Sequence, residues 1–271
     1  MGIETTFRAA SLAWGAVVLG FIGSAQAADL PVYKAQPTAV PAWSGAYVGG
    51  TAGWKRDEAD WSRTGILSGF GFNPTPTNWD GGVGPHYNFE SDAVRLGAYA
   101  GYNWQLSNFV VGIEADVGSG LRGKASLGYL PGGVVTGAAV PVGLNGTSVD
   151  FGWDGSIRGR VGVLVTPSTL LYTTGGFAFQ RTTISAYCNN GGTWFCPNGN
   201  AESYSKLLTG WTLGGGVESM ISRNWIARAE YRYTDLGRIE HILMGNGASY
   251  GLGADVDISH HQVNLGIAYK F

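Results

Sequence analysis

The sequence predicts an all-β chain: an eight-stranded antiparallel up-and-down transmembrane β-barrel with short periplasmic turns and long extracellular loops. Three observations predict it. Eight segments alternate apolar and polar residues with period two over nine residues or more. Ordinary soluble strands run to about 5–6 residues, whereas a tilted strand needs about 9–11 to cross a bilayer. The connections between these segments are short and long in strict turn, the pattern of an up-and-down barrel with both termini at the short-turn end. The chain also closes on "HHQVNLGIAYKF", a strand with an oily face of Val263, Leu265, Ile267, Tyr269 and Phe271.

Composition agrees. The 271 residues carry a formal charge of -2, only 13% charged residues, 45 glycines, 10 tryptophans and 13 tyrosines. So many aromatics with so little net charge exclude a disordered chain. The charge balance also speaks against a nucleic-acid partner. Abundant glycine and aromatic residues suit an all-β protein with closely spaced backbones.

Residues 1–27 read as a cleaved signal peptide. Arg8 precedes an apolar run from about Ala9 to Gly23, and Ala25-Gln26-Ala27 fits the small-residue cleavage rule. The run is short for the roughly 20 residues of a membrane anchor. Residues 28–42, with Pro31, Pro37 and Pro41, read as an extended periplasmic linker. Residues 43–271 form the barrel. No later apolar run is long enough for a spanning helix, so any crossing is made by strands.

The eight strands follow in order. The first is about Gly45 to Lys55. In the second, Ala93 to Gln105, Val94, Leu96, Ala98, Ala100, Tyr102 and Trp104 oppose Arg95 and its neighbours. The third, Phe109 to Gly118, sets Val111, Ile113, Ala115 and Val117 against Glu114 and Asp116. The fourth, Asp150 to Val165, sets Ile157, Val161 and Val163 against Ser156, Arg158 and Arg160. The fifth, Leu170 to Arg181, has less distinct faces. The sixth, Leu208 to Ile221, opposes Trp211, Leu213 and Val217 to Thr212 and Glu218. The seventh, Trp225 to Tyr233, opposes Trp225, Ala227, Ala229, Tyr231 and Tyr233 to Arg228, Glu230 and Arg232. The eighth is the terminal stretch. Short turns fall near Leu106–Asn108, Thr166–Thr169 and Ser222–Asn224. Long loops are expected over about 56–92, 121–149, 182–207 and 234–258.

A soluble lipocalin-like barrel is also eight-stranded, but it would turn its apolar face inward. Here the polar face holds Arg95, Glu114, Asp116, Arg158, Arg160, Glu218, Arg228, Glu230, Arg232 and Lys270, which could pair inside a narrow lumen. The other face is nearly free of charge, with Trp and Tyr near the strand ends, as interfacial girdles require. The last strand must pair with the first to leave no open edge in lipid.

"WSGAYVGGTAGW", "VVGIEADVGSG", "GSIRGRVGVLVTPSTLLYTTGGFAF", "ARAEYRYTDLG" and "VNLGIAYKF" resemble the small outer-membrane β-barrel porin family of alphaproteobacteria, surface barrels of the opacity-protein type. The resemblance covers about Trp43 to Phe271 and the mature start "ADLP". It implies the outer membrane of a Gram-negative bacterium as the address. It also implies outer-membrane lipid, lipopolysaccharide and the barrel-insertion machinery as partners. Phe271, with Leu265, Ile267 and Tyr269, then stands as the insertion signal. The "ADLP" start suggests attachment of Ala28 to peptidoglycan.

Other constellations carry less. Cys188 and Cys196 are expected to form a loop-stapling disulfide in an oxidising compartment. The glycine runs at 214–216 and around Gly175 lack the Lys-Ser/Thr of a phosphate loop. His241, Asp255, Asp257, His260 and His261 invite a metal or catalytic reading, but alternation puts His260 and His261 on opposite faces. We expect no catalytic residue, no metal and no cofactor. Three functions stay open: a structural surface barrel that supports the envelope, a narrow porin for small solutes, and a barrel whose loops bind haem or host surfaces.

Overall fold

In the computed structural model, residues 42–68, 71–73, 86–121, 123–127, 145–188, 200–243 and 251–271 are described. The signal peptide, all of the linker but Ala42, and Cys196 lie outside them. So do most residues of the long loops. The side chain of Cys188, the last residue of its strand, is not described either.

There are ten strands: β1 (Gly45–Ser68), β2 (Gly71–Asn73), β3 (His86–Leu106), β4 (Phe109–Leu121), β5 (Lys124–Leu127), β6 (Asn145–Thr166), β7 (Thr169–Cys188), β8 (Asn200–Met220), β9 (Trp225–Leu243) and β10 (Gly251–Lys270). Eight are long. Antiparallel pairing runs β1-β3-β4-β6-β7-β8-β9-β10, and β10 pairs back onto β1 from Tyr47↔Lys270 to Leu67↔Gly251. The ring is thereby complete and leaves no open sheet edge in lipid. The amide of Phe271 adds a 3.0 Å bond to the Ala46 carbonyl. The short connections fall at Ser107–Asn108, Pro167–Ser168 and Ile221–Asn224. The first of these reverses tightly, with Ser107 at φ 57°.

Strand length departs from the expectation. β1 has 24 residues and β9 has 19, about twice a bilayer crossing. Much of the sequence assigned to loops, including Arg56–Ser68, His86–Asp92 and Ala201–Leu207, is strand. The two short strands β2 and β5 were also not foreseen.

The physical reason is a reversal of the two faces along each strand. Near the short-turn end the outer wall is apolar: Val48, Leu96, Ile113, Val161, Leu171, Leu213, Leu265 and Ile267 are all exposed. Aromatic girdles bound this belt. Tyr102, Trp104, Phe109, Trp225 and Tyr269 lie on one side, and Trp54, Trp153, Phe177, Trp211 and Tyr231 on the other. Beyond the second girdle the outer face becomes polar, with Glu58, Asp60, Glu90, Asp92, Arg238 and Glu240. The inner face becomes apolar instead. This half obeys the pattern of a soluble protein.

The wall also divides there. β4 stops at Leu121, opposite Val94, while β3 runs on to His86 paired with β1 alone. β5 pairs with β6 and not with β3. Pairing of β8 with β9 ends at Trp211↔Asp235, although both strands continue. The part outside the membrane is therefore two facing sheets, β9-β10-β1-β3 and β5-β6-β7-β8. Bulges mark the transition. Phe151 and Asp154 both face inward across a register shift on β6. On β9, Gly237 takes φ +70° and donates its amide to Asp235 Oδ1. Apolar Leu236 already follows Thr234 on the inner face, and the bulge then shifts the inward parity so that Ile239 is the next residue facing in.

Candidate functional site

The lumen holds three stacked layers. The floor, at the short-turn end, is aromatic and apolar: Trp43, Tyr47, Tyr99, Val110, Leu170, Tyr172, Ile226 and Ala268. Trp43 is fully buried. Its indole Nε1 donates to the Pro167 carbonyl at 3.2 Å, and its amide donates to Gln105 Oε1 at 2.8 Å. One residue thus ties two hairpins together below the lumen, by its backbone amide and its indole.

The middle layer is ionic. Six cations (Lys55, Arg95, Arg158, Arg160, Arg228, Arg232) face six carboxylates (Asp57, Glu114, Asp116, Asp154, Glu218, Glu230), all with side chains at most 6% exposed. Glu114 is the centre. It accepts from Arg228 Nη1 and Nη2 at 2.9 and 2.5 Å, from Arg158 Nη2 at 2.6 Å and from Tyr47 Oη at 2.8 Å. Arg158 reaches on to Glu230 at 3.0 Å, which also accepts from Tyr172 Oη at 2.7 Å. Glu218 holds Arg228 Nε at 2.7 Å and Arg160 at 2.8 Å. Asp116 joins Arg95 and Arg232, each at 2.8 Å, and accepts from Ser156. Asp154 bridges Arg95 Nε at 2.8 Å to Lys55 at 3.1 Å. Lys55 also meets Asp57 at 2.8 Å. The guanidinium groups of Arg160 and Arg228 each lie 4.2 Å from a tyrosine ring, Tyr172 and Tyr99 respectively.

Charges this deeply buried are costly unless paired and hydrogen-bonded on every side. Equal numbers of opposite charges, cross-linked over six strands, meet the pairing condition, while Asp57 Oδ2, Arg158 Nε and Arg160 Nε are buried without a hydrogen bond. Glycine makes the room. A Cβ on Gly118 would sit 2.6 Å from Arg95 Cζ, and one on Gly49 would sit 2.6 Å from Tyr99 Cζ. The inward glycines of the sequence are spaces for lumen side chains.

The roof is the apolar core between the two outer sheets: Ala59, Trp61, Phe89, Leu236, Ile239, Val256 and Ile258 from one, and Ala125, Val149, Phe151, Ala178, Ile184 and Leu208 from the other.

Of the ten charged residues anticipated in the lumen, the structure brings nine into this network. Lys270 stands apart at the short-turn mouth, its Nζ 3.4 Å from the Ser44 carbonyl. It lies two residues beyond the floor residue Ala268, too far toward the opening to reach a carboxylate. Lys55, Asp57 and Asp154 were missed. Asp154 follows the same alternation as Ser156 and Arg158, so its face was readable. Lys55 is the last residue of the expected first strand, and Asp57 continues its inward series two residues past that end. The partner of Lys55, Asp154, is 99 residues away, a link no local pattern carries.

The late histidines separate. His260 is buried against Gln180 Oε1 at 3.0 Å, His261 faces out beside Tyr231, and His241 meets Glu202 at 2.9 Å. Asp255 and Asp257 lie outside with Arg238, whose guanidinium is held above its usual range by its bond to Asp257. Among the described residues no group of three His, Cys, Asp or Glu is placed to hold a metal ion. Phe271, 70% exposed, stands at the rim of the apolar belt beside Tyr269. Leu265 and Ile267 face outward on the same strand.

The family model for the outer membrane protein beta-barrel domain matches residues 15–271. The 31 kDa outer-membrane immunogenic protein of Brucella melitensis is 31% identical over 268 residues, covering 93% of this chain and 95% of the relative. A 25 kDa outer-membrane immunogenic protein of Brucella abortus is 28% identical over 263 residues, covering 94% and 95%. The 22 kDa outer membrane protein of Rhizobium leguminosarum is 33% identical over 197 residues, covering 70% and 75%. Among solved structures, the outer membrane protein OprG of Pseudomonas aeruginosa aligns with a TM-score of 0.48 at 14% identity, over 84% of this chain and 96% of that one. A complete strand ring with an apolar outer belt, together with the family model over residues 15–271 and the 31% identical relative, leads to one conclusion: this chain is an outer-membrane protein of the β-barrel domain family.

Proposed function

We propose that the protein is a closed structural barrel, exposed at the cell surface, that contributes to envelope integrity. One observation carries this reading: the lumen is filled at three successive levels by an aromatic floor, a neutralised ionic layer and an apolar roof. Eight strands enclose an interior just wide enough for side chains, and here side chains occupy it. The naming of relatives as outer-membrane immunogenic proteins supports surface exposure.

The test is single-channel recording of the refolded mature barrel in a planar bilayer, with folding verified by heat-dependent gel migration. A folded, silent barrel is expected. Stable, reproducible conductance steps would sink the structural reading and restore the narrow porin.

The mature N-terminus extends the proposal. Residues 28–42 with their three prolines would span roughly 45 Å at about 3.1 Å per residue, enough to project well into the periplasm. Attachment of Ala28 to peptidoglycan would join membrane to wall. Purified sacculi should yield a muropeptide carrying Ala28; its absence would remove the tether and leave the barrel.

A further inference from the structure

We propose that the outer face of the β5–β8 sheet carries a saccharide-binding groove, built on strands and distinct from the loops. Ser126 pairs with Ser148, Ser148 with Ser185, and Ser185 with Ser203, so four adjacent strands each present one serine at the same level. At an inter-strand spacing of about 4.8 Å, the row is roughly 14 Å long. These serines line a groove of about 580 Å³, with Lys124 at one end and Tyr187 at the other. That volume lies within the roughly 300–1,000 Å³ of small-molecule sites, and one or two sugar rings fit it.

The chemistry of the groove is that of a sugar surface. Hydroxyls donate and accept in any rotor state, and they carry no charge. Ser185 Oγ lies 3.0 Å from Ser203 Oγ, and in the row beneath Thr183 Oγ1 lies 2.8 Å from Ser205 Oγ. These bonds orient the rotors and leave further donor and acceptor positions for a ligand. Ser148 and Ser185 are half-buried and form the floor, while Ser126 and Ser203 are exposed and form the rims.

Tyr187 is the second observation. Its ring lies over Gly146, its partner across the ladder, and remains 46% exposed. A Cβ at position 146 would fall inside the ring's contact distance. The ring therefore occupies a seat that glycine provides, and it offers an aromatic surface to the C–H face of a sugar beside the hydroxyl row. The same sheet carries exposed charges around the row, on Asp150, Arg181 and Lys206, and the groove lining adds Lys124 and Glu202 to the hydroxyls. The groove lies beyond the girdle residues Trp153 and Trp211, outside the hydrocarbon, where saccharide from the membrane's own outer leaflet or from another surface can reach it.

The experiment uses the folded mature barrel in detergent micelles. One arm titrates oligosaccharide released by mild acid from the lipopolysaccharide of the source strain. The other screens an array of neutral oligosaccharides. Saturable binding is expected in one arm, and which arm responds identifies the source. Tyr187→Ala, Ser185→Val and Gly146→Val, the last of which displaces the ring without removing any hydroxyl, should each weaken binding at least tenfold while heat-dependent migration is retained. Absence of saturable binding in both arms would overturn the proposal. So would folded Tyr187→Ala and Ser185→Val barrels that bind as tightly as the parent.

Discussion

Arg228 grips Glu114 across the lumen with both terminal nitrogens, at 2.9 and 2.5 Å, although 114 residues separate them in the chain. Neither residue touches water: their side chains are 2% and 3% exposed. Removing one partner leaves the other charge buried without compensation. Glu114→Gln should therefore destabilise the barrel by about 3–5 kcal/mol, read as a lower urea midpoint for unfolding from lipid vesicles. Adding Arg228→Met to that variant should cost less than Arg228→Met alone, because the two share one network. Additive losses would show that the pair is not coupled.

The three layers make a prediction about leakage. Trp61 is 1% exposed in the roof. Trp61→Ala should cost about 3–5 kcal/mol, the usual range for emptying a core aromatic site. It should nevertheless leave the barrel silent in a planar bilayer, because the ionic layer and the Trp43 floor lie beneath it. Conductance from this single variant would place the only barrier in the roof.

The bilayer boundary can be located by arginine substitution. Leu265, in the apolar belt, is 64% exposed on the wall. Leu265→Arg should cost about 2–4 kcal/mol, as for a charge near the bilayer midplane. Ser259→Arg, six residues further along β10 and beside Glu58 in register, should cost no more than about 1 kcal/mol. Equal costs at the two positions would mean that the membrane covers more of the strands than the girdles indicate.

Arg238 and Asp257 test the polar outer face. Their side chains are 53% and 46% exposed and lie 2.9 Å apart. Exposed ion pairs contribute little, because water and salt screen them. Arg238→Ala should leave the urea midpoint nearly unchanged in 0.15 M salt; a large shift would assign this bridge a structural role.

Much of the architecture was legible because period-two alternation survives in each strand separately. Trp225 to Tyr233 declares its two faces without any neighbour, and "VNLGIAYKF" declares a final strand that must close a ring. What alternation cannot declare is which face is wet. Along β1 the apolar residues Val48 and Trp54 face out, while further on Ala59 and Trp61 face in. The local pattern looks alike in both places, and only the height of the strand above the membrane decides between lipid and core. The same limit hid the bulges at Phe151–Asp154 and at Gly237, which change the inward parity with a single extra residue.

By itself, then, the sequence determined the strand ring, the apolar belt with its girdles, and a polar series for the inner wall, since each follows from side-chain order along one strand. The tertiary structure alone decided that Asp154 meets Lys55, that Lys270 stays outside the network, that two sheets form a core above the membrane, and that four serines align across β5 to β8. Each of these depends on register between strands far apart in the chain, and register is set by the closure of the whole barrel.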